Sequence, residues 1–234
     1  MNTILQFAGF STTVLEMISF FLSVLSVWLT MRQNAWGWLF SIAASATYCV
    51  VFFDSRLYGD AGLQLVFIAV SAWGWYRWLH AGAVLPASAH MAADSQPCSP
   101  SGANAGLHAA AAAAAAADAA GLPITRLRSA GLFASALAWI AGFLLLWWFL
   151  AACTDTDVPA IDGFLTAGSL LGQWLLSQKK IENWLVWVIV DILYVGLYAF
   201  KGLPMTTLLY ALFVLMAIAG WRSWKRQMPA PANP

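Results

Sequence analysis

Charge is scarce in this chain. Of its 234 residues only 9% are Asp, Glu, Lys or Arg, while 62% are hydrophobic and the mean hydropathy is +0.74. Soluble domains carry about 25% charge, so the composition excludes a water-soluble globule and makes this an integral membrane protein. The formal net charge of +1 leaves no polyanion-binding face, and nucleic acid is removed as a partner. Cys49, Cys98 and Cys153 stand singly, without disulfide-framework or metal-ligand spacing. His80, His90 and His108 all lie at or in one low-complexity segment. With no Gly-x-Ser-x-Gly, phosphate loop or metal pair, neither an enzyme nor a resident cofactor is expected. The first fifteen residues contain no Lys or Arg, so a signal-peptide n-region is missing and the first apolar stretch is expected to persist as a span.

What the chain does contain is itself, twice. Shifted by 146 positions, residues 15–78 lie over residues 161–224 without a gap. The matched pairs include Trp28/Trp174, Trp38/Trp184, Tyr48/Tyr194, Phe67/Phe213, Gly74/Gly220, Trp75/Trp221 and Trp78/Trp224. Trp is a rare residue, and its return at four matched positions is poorly explained by chance likeness between apolar stretches. A helical span needs about twenty mostly apolar residues. Seven are predicted, at 13–31, 36–53, 60–79, 130–151, 160–177, 183–200 and 204–223. The runs are continuously apolar rather than alternating, which excludes membrane strands. The expected fold is therefore an all-α membrane bundle in a 3+1+3 arrangement. Residues 1–80 form a first three-helix repeat, 129–152 a connecting helix, and 153–234 a second repeat with a short tail. Three spans invert the chain and the fourth restores its direction, so the repeats are parallel, as in sugar transporters of the SWEET class.

Residues 81–128 interrupt the pattern. They are rich in Ala, Ser, Pro and Gly and hold nine consecutive alanines, Ala109–Ala117. Their composition reads as a low-complexity cytoplasmic linker. Charge sets the direction of the bundle. With the N-terminus outside, nine basic residues (Arg32, Arg77, Arg126, Arg128, Lys179, Lys180, Arg222, Lys225 and Arg226) face the cytoplasm, and only Arg56 and Lys201 face out. Basic residues concentrate on the cytoplasmic side of membrane proteins.

An ionisable group inside a span costs roughly 2.5–3.5 kcal/mol at mid-membrane and usually faces a cavity. The sixth span carries Asp191. At about 100° per residue, Trp184, Trp187 and Asp191 share one helical face, which Tyr194 and Tyr198 extend. Aromatic walls ending in a carboxylate suit a flat, cationic or polar ring. In the first half the matching positions are Trp38, Ser41 and Ser45, so the halves share packing residues but not polar ones. Gln64, its repeat partner Tyr210, Gln173 and Tyr48 are further polar groups deep in spans. The candidate binding set is Trp184, Trp187, Asp191, Tyr194, Gln64, Gln173 and Tyr210. A seven-helix retinal protein is disfavoured, because Lys201 and Lys225 sit at the ends of the last span rather than within it.

The run from Glu182-Asn183-Trp184 through Trp187 to Asp191, followed by Lys201-Gly202-Leu203, resembles the PnuC family of vitamin transporters. Leu57-Tyr58-Gly59-Asp60, Leu63-Gln64 and the repeated Gly-Trp pairs extend the likeness over all seven spans, but not the linker. The resemblance implies an enlarged SWEET-like fold and facilitated diffusion of nicotinamide riboside across the bacterial inner membrane. Cytoplasmic phosphorylation would trap the substrate for NAD salvage, and the assembly would be a trimer. It also implies that Trp184, Trp187 and Asp191 bind substrate; Gln64, Gln173 and Tyr210 rest on depth and polarity alone. Where that family commonly has Asn, this chain has Asp191. Thiamin, another vitamin or a nucleoside is thus an alternative cargo. A membrane receptor or interaction protein is the alternative from another class.

The distribution of basic residues generates a direct test. Reporter fusions after Lys201 and after Arg226 are expected to label opposite sides of the membrane, the latter cytoplasmic. Finding both on one side would make the span count wrong and dissolve the parallel-repeat argument.

Overall fold

The computed structural model describes residues 4–7, 10–54, 58–80, 122–154, 158–200, 202 and 204–228. Among the described residues seven helices carry the fold: α1 (Val14–Met31), α2 (Trp36–Asp54), α3 (Tyr58–His80), α4 (Ser129–Cys153), α5 (Pro159–Ser177), α6 (Asn183–Phe200) and α7 (Pro204–Gln227). Each coincides with a predicted span to within a few residues. By length and composition, Ser129–Cys153, Asn183–Phe200 and Thr206–Gln227 are long and apolar enough to cross a membrane. A short antiparallel hairpin precedes α1. Its strands, β1 (Ile4–Phe7) and β2 (Phe10–Thr13), pair with Ile4 opposite Thr13 and Phe7 opposite Phe10. The all-α expectation omitted this element, because two four-residue strands carry no periodicity long enough to read.

Helices end where the backbone must reverse. After α1, Gln33 adopts φ 58°, and its N–H donates to Thr30 O at 2.9 Å while Asn34 N–H donates to Leu29 O at 2.9 Å. After α5, Lys179 adopts φ 49°, with Lys179 N–H on Leu176 O at 2.9 Å and Lys180 N–H on Leu175 O at 3.0 Å. These pairs of bonds form the left-handed helix cap usually built on glycine. The same strained cap at positions 146 apart shows that the sequence repeat extends to local backbone geometry.

Packing follows the same correspondence. Neighbours in sequence pack as α1 on α2, α2 on α3, α4 on α5, α5 on α6 and α6 on α7, while α1 meets α7 and α3 meets α5. The last two contacts are one contact under the repeat offset. At one end of the bundle Trp38 meets Trp78 edge-on at 5.5 Å, and Trp184 meets Trp224 edge-on at 5.4 Å. Trp78 and Trp224 lie 6.1 Å apart, joining the two pairs into a buried indole floor. By contrast α4 buries none of its residues, and it presents Phe133, Leu145 and Trp148 outward, a surface suited to lipid.

The final residues of the segment read as a low-complexity linker are docked. Ile124 is buried, Thr125 N–H donates to Lys179 O and Ile181 N–H to Thr125 O, both at 3.1 Å. Leu127 N–H donates to the Glu182 carboxylate at 3.1 Å. Residues 122–128 therefore belong to the folded body around the α5–α6 turn. Ala109–Ala117 and the rest of 81–121 lie outside the described residues.

The floor depends on two missing side chains. A Cβ at Gly74 would lie 2.5 Å from the Trp38 ring, and one at Gly220 would lie 2.7 Å from the Trp184 ring. Gly74→Ala and Gly220→Ala are each expected to destabilise the protein by about 1–3 kcal/mol, as overpacked sites do. Gly196→Ala, with nothing within 4 Å, should be neutral or slightly stabilising. Thermal unfolding in detergent checks all three; equal midpoints would show that the indoles move aside freely.

Candidate functional site

A cavity of about 230 Å³ opens between α1, α2, α3, α5, α6 and α7. From α6 it is lined by Trp184, Trp187 and Asp191, the face set by their spacing of three and four residues. Gln64 enters from α3, Gln173 from α5, and Tyr210 with Phe213 from α7. Six of the seven predicted site residues thus meet at one cavity. Tyr194 does not line it. It stacks against the back of Tyr210 at 4.5 Å, Tyr198 stacks on both, and its hydroxyl hydrogen-bonds Ser169. A second layer of tyrosine therefore limits where the Tyr210 ring can go.

The opposite wall is legible in the sequence only in part: Tyr48 stands out by its depth and Ser41 and Ser45 as repeat counterparts, but none enters the binding set, and the α1 hydroxyls are missed. Ser23, Ser26 and Thr30 line the cavity from α1, and Ser41, Ser45 and Tyr48 from α2. A signal was present: Ser23, Ser26 and Thr30 repeat the three-then-four spacing of Trp184, Trp187 and Asp191. Small hydroxyls in apolar helices look like packing glue, and only the assembled bundle shows them around a void. Ser26 is partly committed, donating to Gly37 O at 2.8 Å.

The cavity straddles the repeat. Trp38 faces with Trp184, Ser41 with Trp187, Ser45 with Asp191, Gln64 with Tyr210, Phe67 with Phe213 and Val27 with Gln173, each pair being matched positions of the two halves. The first half gives room and hydroxyls; the second gives aromatic faces and a carboxylate. Asp191 is only 4% exposed, so its carboxyl group sits with little water around it, where a charge is costly unless a partner of opposite sign meets it. The arrangement is a slot for a flat ring bearing hydrogen-bonding groups.

The indole floor closes one end of this slot, and Lys179 lies beneath it. The Lys179 ammonium sits 4.5 Å from the Trp78 ring centroid and donates to Gln33 Oε1 at 3.1 Å. Gln33 in turn bonds Gln227. Burial lowers the Lys179 pKa from its ordinary value to about 8, because the charged form loses water that a ring face and one amide replace only in part.

Comparison with known proteins places this architecture. The family described as nicotinamide mononucleotide transporter matches residues 13–226. The nicotinamide riboside transporter PnuC of Escherichia coli is 23% identical over 217 residues, covering 92% of this chain and 87% of that protein. The riboflavin/roseoflavin transporter RibM of Streptomyces davaonensis is 24% identical over 209 residues, covering 89% and 83%. Among solved structures, a crystal structure of the vitamin B3 transporter PnuC superposes with a TM-score of 0.63 at 18% identity, covering 91% of this chain and 81% of that one.

The buried ammonium makes stability depend on pH. Unfolded, Lys179 holds its proton to about 10.5; folded, only to about 8. Between these values the unfolded state binds the extra proton, so stability rises with pH across that window. Lys179→Met is expected to flatten the rise and to be the more stable protein at neutral pH. Denaturation midpoints of both proteins from pH 7 to 10 decide this, and parallel curves would refute it.

Proposed function

The chain belongs to the nicotinamide mononucleotide transporter family, the PnuC family, and on that basis we propose that it carries nicotinamide riboside by facilitated diffusion into the bacterial cytoplasm. It is a membrane transporter and not an enzyme. In this reading all seven helices cross the inner membrane, with the N-terminus outside and the C-terminus cytoplasmic. They form two parallel three-helix units joined by α4, in a homo-oligomer, a trimer by family resemblance. Phosphorylation of the nucleoside in the cytoplasm traps it, so the protein needs no coupling ion.

The observation that carries the substrate reading is the single cavity holding Trp187, Tyr210 and Asp191 together. Trp187 stacks on the pyridinium ring, whose fixed positive charge favours an aromatic face. Trp184 closes the floor, Tyr210 forms the far wall with Tyr194 behind it, and Gln64 and Gln173 hydrogen-bond the polar edges. Asp191 balances the cationic ring or accepts from hydroxyls. A second reading, a flavin or thiamin carrier, draws on the likeness to RibM and on the aspartate at position 191. The cavity volume favours the smaller nucleoside over a tricyclic flavin, since drug-sized ligands occupy pockets of about 300–1,000 Å³.

Purified protein titrated with nicotinamide riboside, thiamin and riboflavin tests the assignment; tighter binding of either rival would replace it. Trp187→Ala is expected to weaken binding by about 1–3 kcal/mol, the scale of aromatic stacking on flat bases. Asp191→Asn separates two roles. Retained affinity means that the side chain acts by hydrogen bonding; a loss confined to cationic ligands means that it acts by charge. In liposomes uptake should stop at concentration equilibrium. Accumulation beyond it under a proton or sodium gradient would recast Asp191 as a coupling-ion site.

A further inference from the structure

One fully buried hydroxyl lies just behind the cavity wall. Ser71 on α3 has no exposed surface. Its Oγ accepts from Gln173 Nε2 at 3.0 Å and lies 3.2 Å from Ser41 Oγ. Both neighbours line the cavity, and Ser71 itself does not. None of the three recurs in the other half, where the matched residues are Val27 for Gln173, Trp187 for Ser41 and Ala217 for Ser71. The cluster is therefore absent from the packing that the two halves share.

An amide has two unlike ends, one donating and one accepting. Free in a cavity, Gln173 could present either. With its Nε2 on Ser71, the Oε1 carbonyl is the end of the amide left over for the cavity. Either hydroxyl can donate in the Ser41–Ser71 contact; with Ser71 as the donor, the Ser41 proton is left for the cavity. One stretch of wall thus offers an acceptor, Gln173 Oε1, beside a donor, Ser41 Oγ–H. An aromatic carboxamide offers the complement, an N–H and a carbonyl.

We propose that Ser71 is a positioning residue that orients Gln173 and, through Ser41, sets the polarity of a carboxamide-recognising wall. The proposal deepens the nicotinamide riboside reading and rests on it. Recognition of a hydrogen-bonding group discriminates strongly, because a ligand lacking it leaves a buried polar atom unpaired.

The decisive comparison pairs nicotinamide riboside with 3-acetylpyridine riboside, which keeps the ring, charge, sugar and carbonyl but has a methyl group in place of the amide nitrogen. Wild-type protein should bind the carboxamide more tightly by roughly three- to tenfold, the scale of one hydrogen bond. Ser71→Ala should bring that ratio close to one, and Ser71→Thr, which keeps the hydroxyl, should restore it. Ser41→Ala removes a donor used by both ligands, so both should weaken together at an unchanged ratio. Gln173→Met deletes the acceptor from the cavity side and should collapse the ratio even if Ser71→Ala does not assemble. Ser71→Ala that weakens both ligands equally, alongside a lower unfolding temperature, would make the cluster interhelical glue and overturn the proposal. A wild-type ratio of one would overturn it as well. Wild-type protein that binds neither riboside would instead remove the substrate assignment, and the proposal with it.

Discussion

An indole resting on a bare glycine backbone organises this bundle. Trp38 lies over Gly74 and Trp184 over Gly220, at distances that no Cβ could share. Lipid tails are as apolar as leucine, so helices in a membrane gain little from hydrophobic burial and associate through close packing and polar contacts. Two large flat rings seated in two notches supply that packing, and they set how near α2 can come to α3 and α6 to α7. The edge-on contacts with Trp78 and Trp224 then lock the notched pairs to each other. The cavity begins where this floor ends.

Above the floor the two halves part company in chemistry while keeping their geometry. Matched positions supply serine against tryptophan, serine against aspartate and valine against glutamine. A cavity shared equally between identical halves would offer an asymmetric ligand two equivalent orientations. The proposed nucleoside cargo is a ring at one end and a sugar at the other. Divergence of the lining residues alone, with the scaffold retained, accommodates such an asymmetric molecule.

The sequence carried the parts of this structure that depend on local order. Helix limits were legible because long apolar runs are cut by short polar turns such as Arg32-Gln33-Asn34, and the α6 stripe because Trp184, Trp187 and Asp191 repeat at helical spacing. Other features depend on what lies across the bundle. Tyr194 has the phase of the stripe, yet Tyr210 arrives from α7 and takes the place at the cavity wall. The α1 and α2 hydroxyls are unremarkable until a void lies between them and the aromatic wall. The docking of residues 122–128 rests on backbone bonds to the α5–α6 turn, which no composition records. The hairpin before α1 was too short to register as a pattern.

The contact between Gln33 and Lys179 joins matched positions of the two halves. In a dimer of one ancestral three-helix unit, that point would have held two copies of the same side chain. Two glutamines can serve there, since each amide both gives and takes a hydrogen bond. Two lysines cannot: each would bring a charge, and neither could accept from the other. A lysine here therefore needs a partner that differs from it, which unlike halves supply. The Lys179–Gln33 pair is thus a contact that two identical halves could not make.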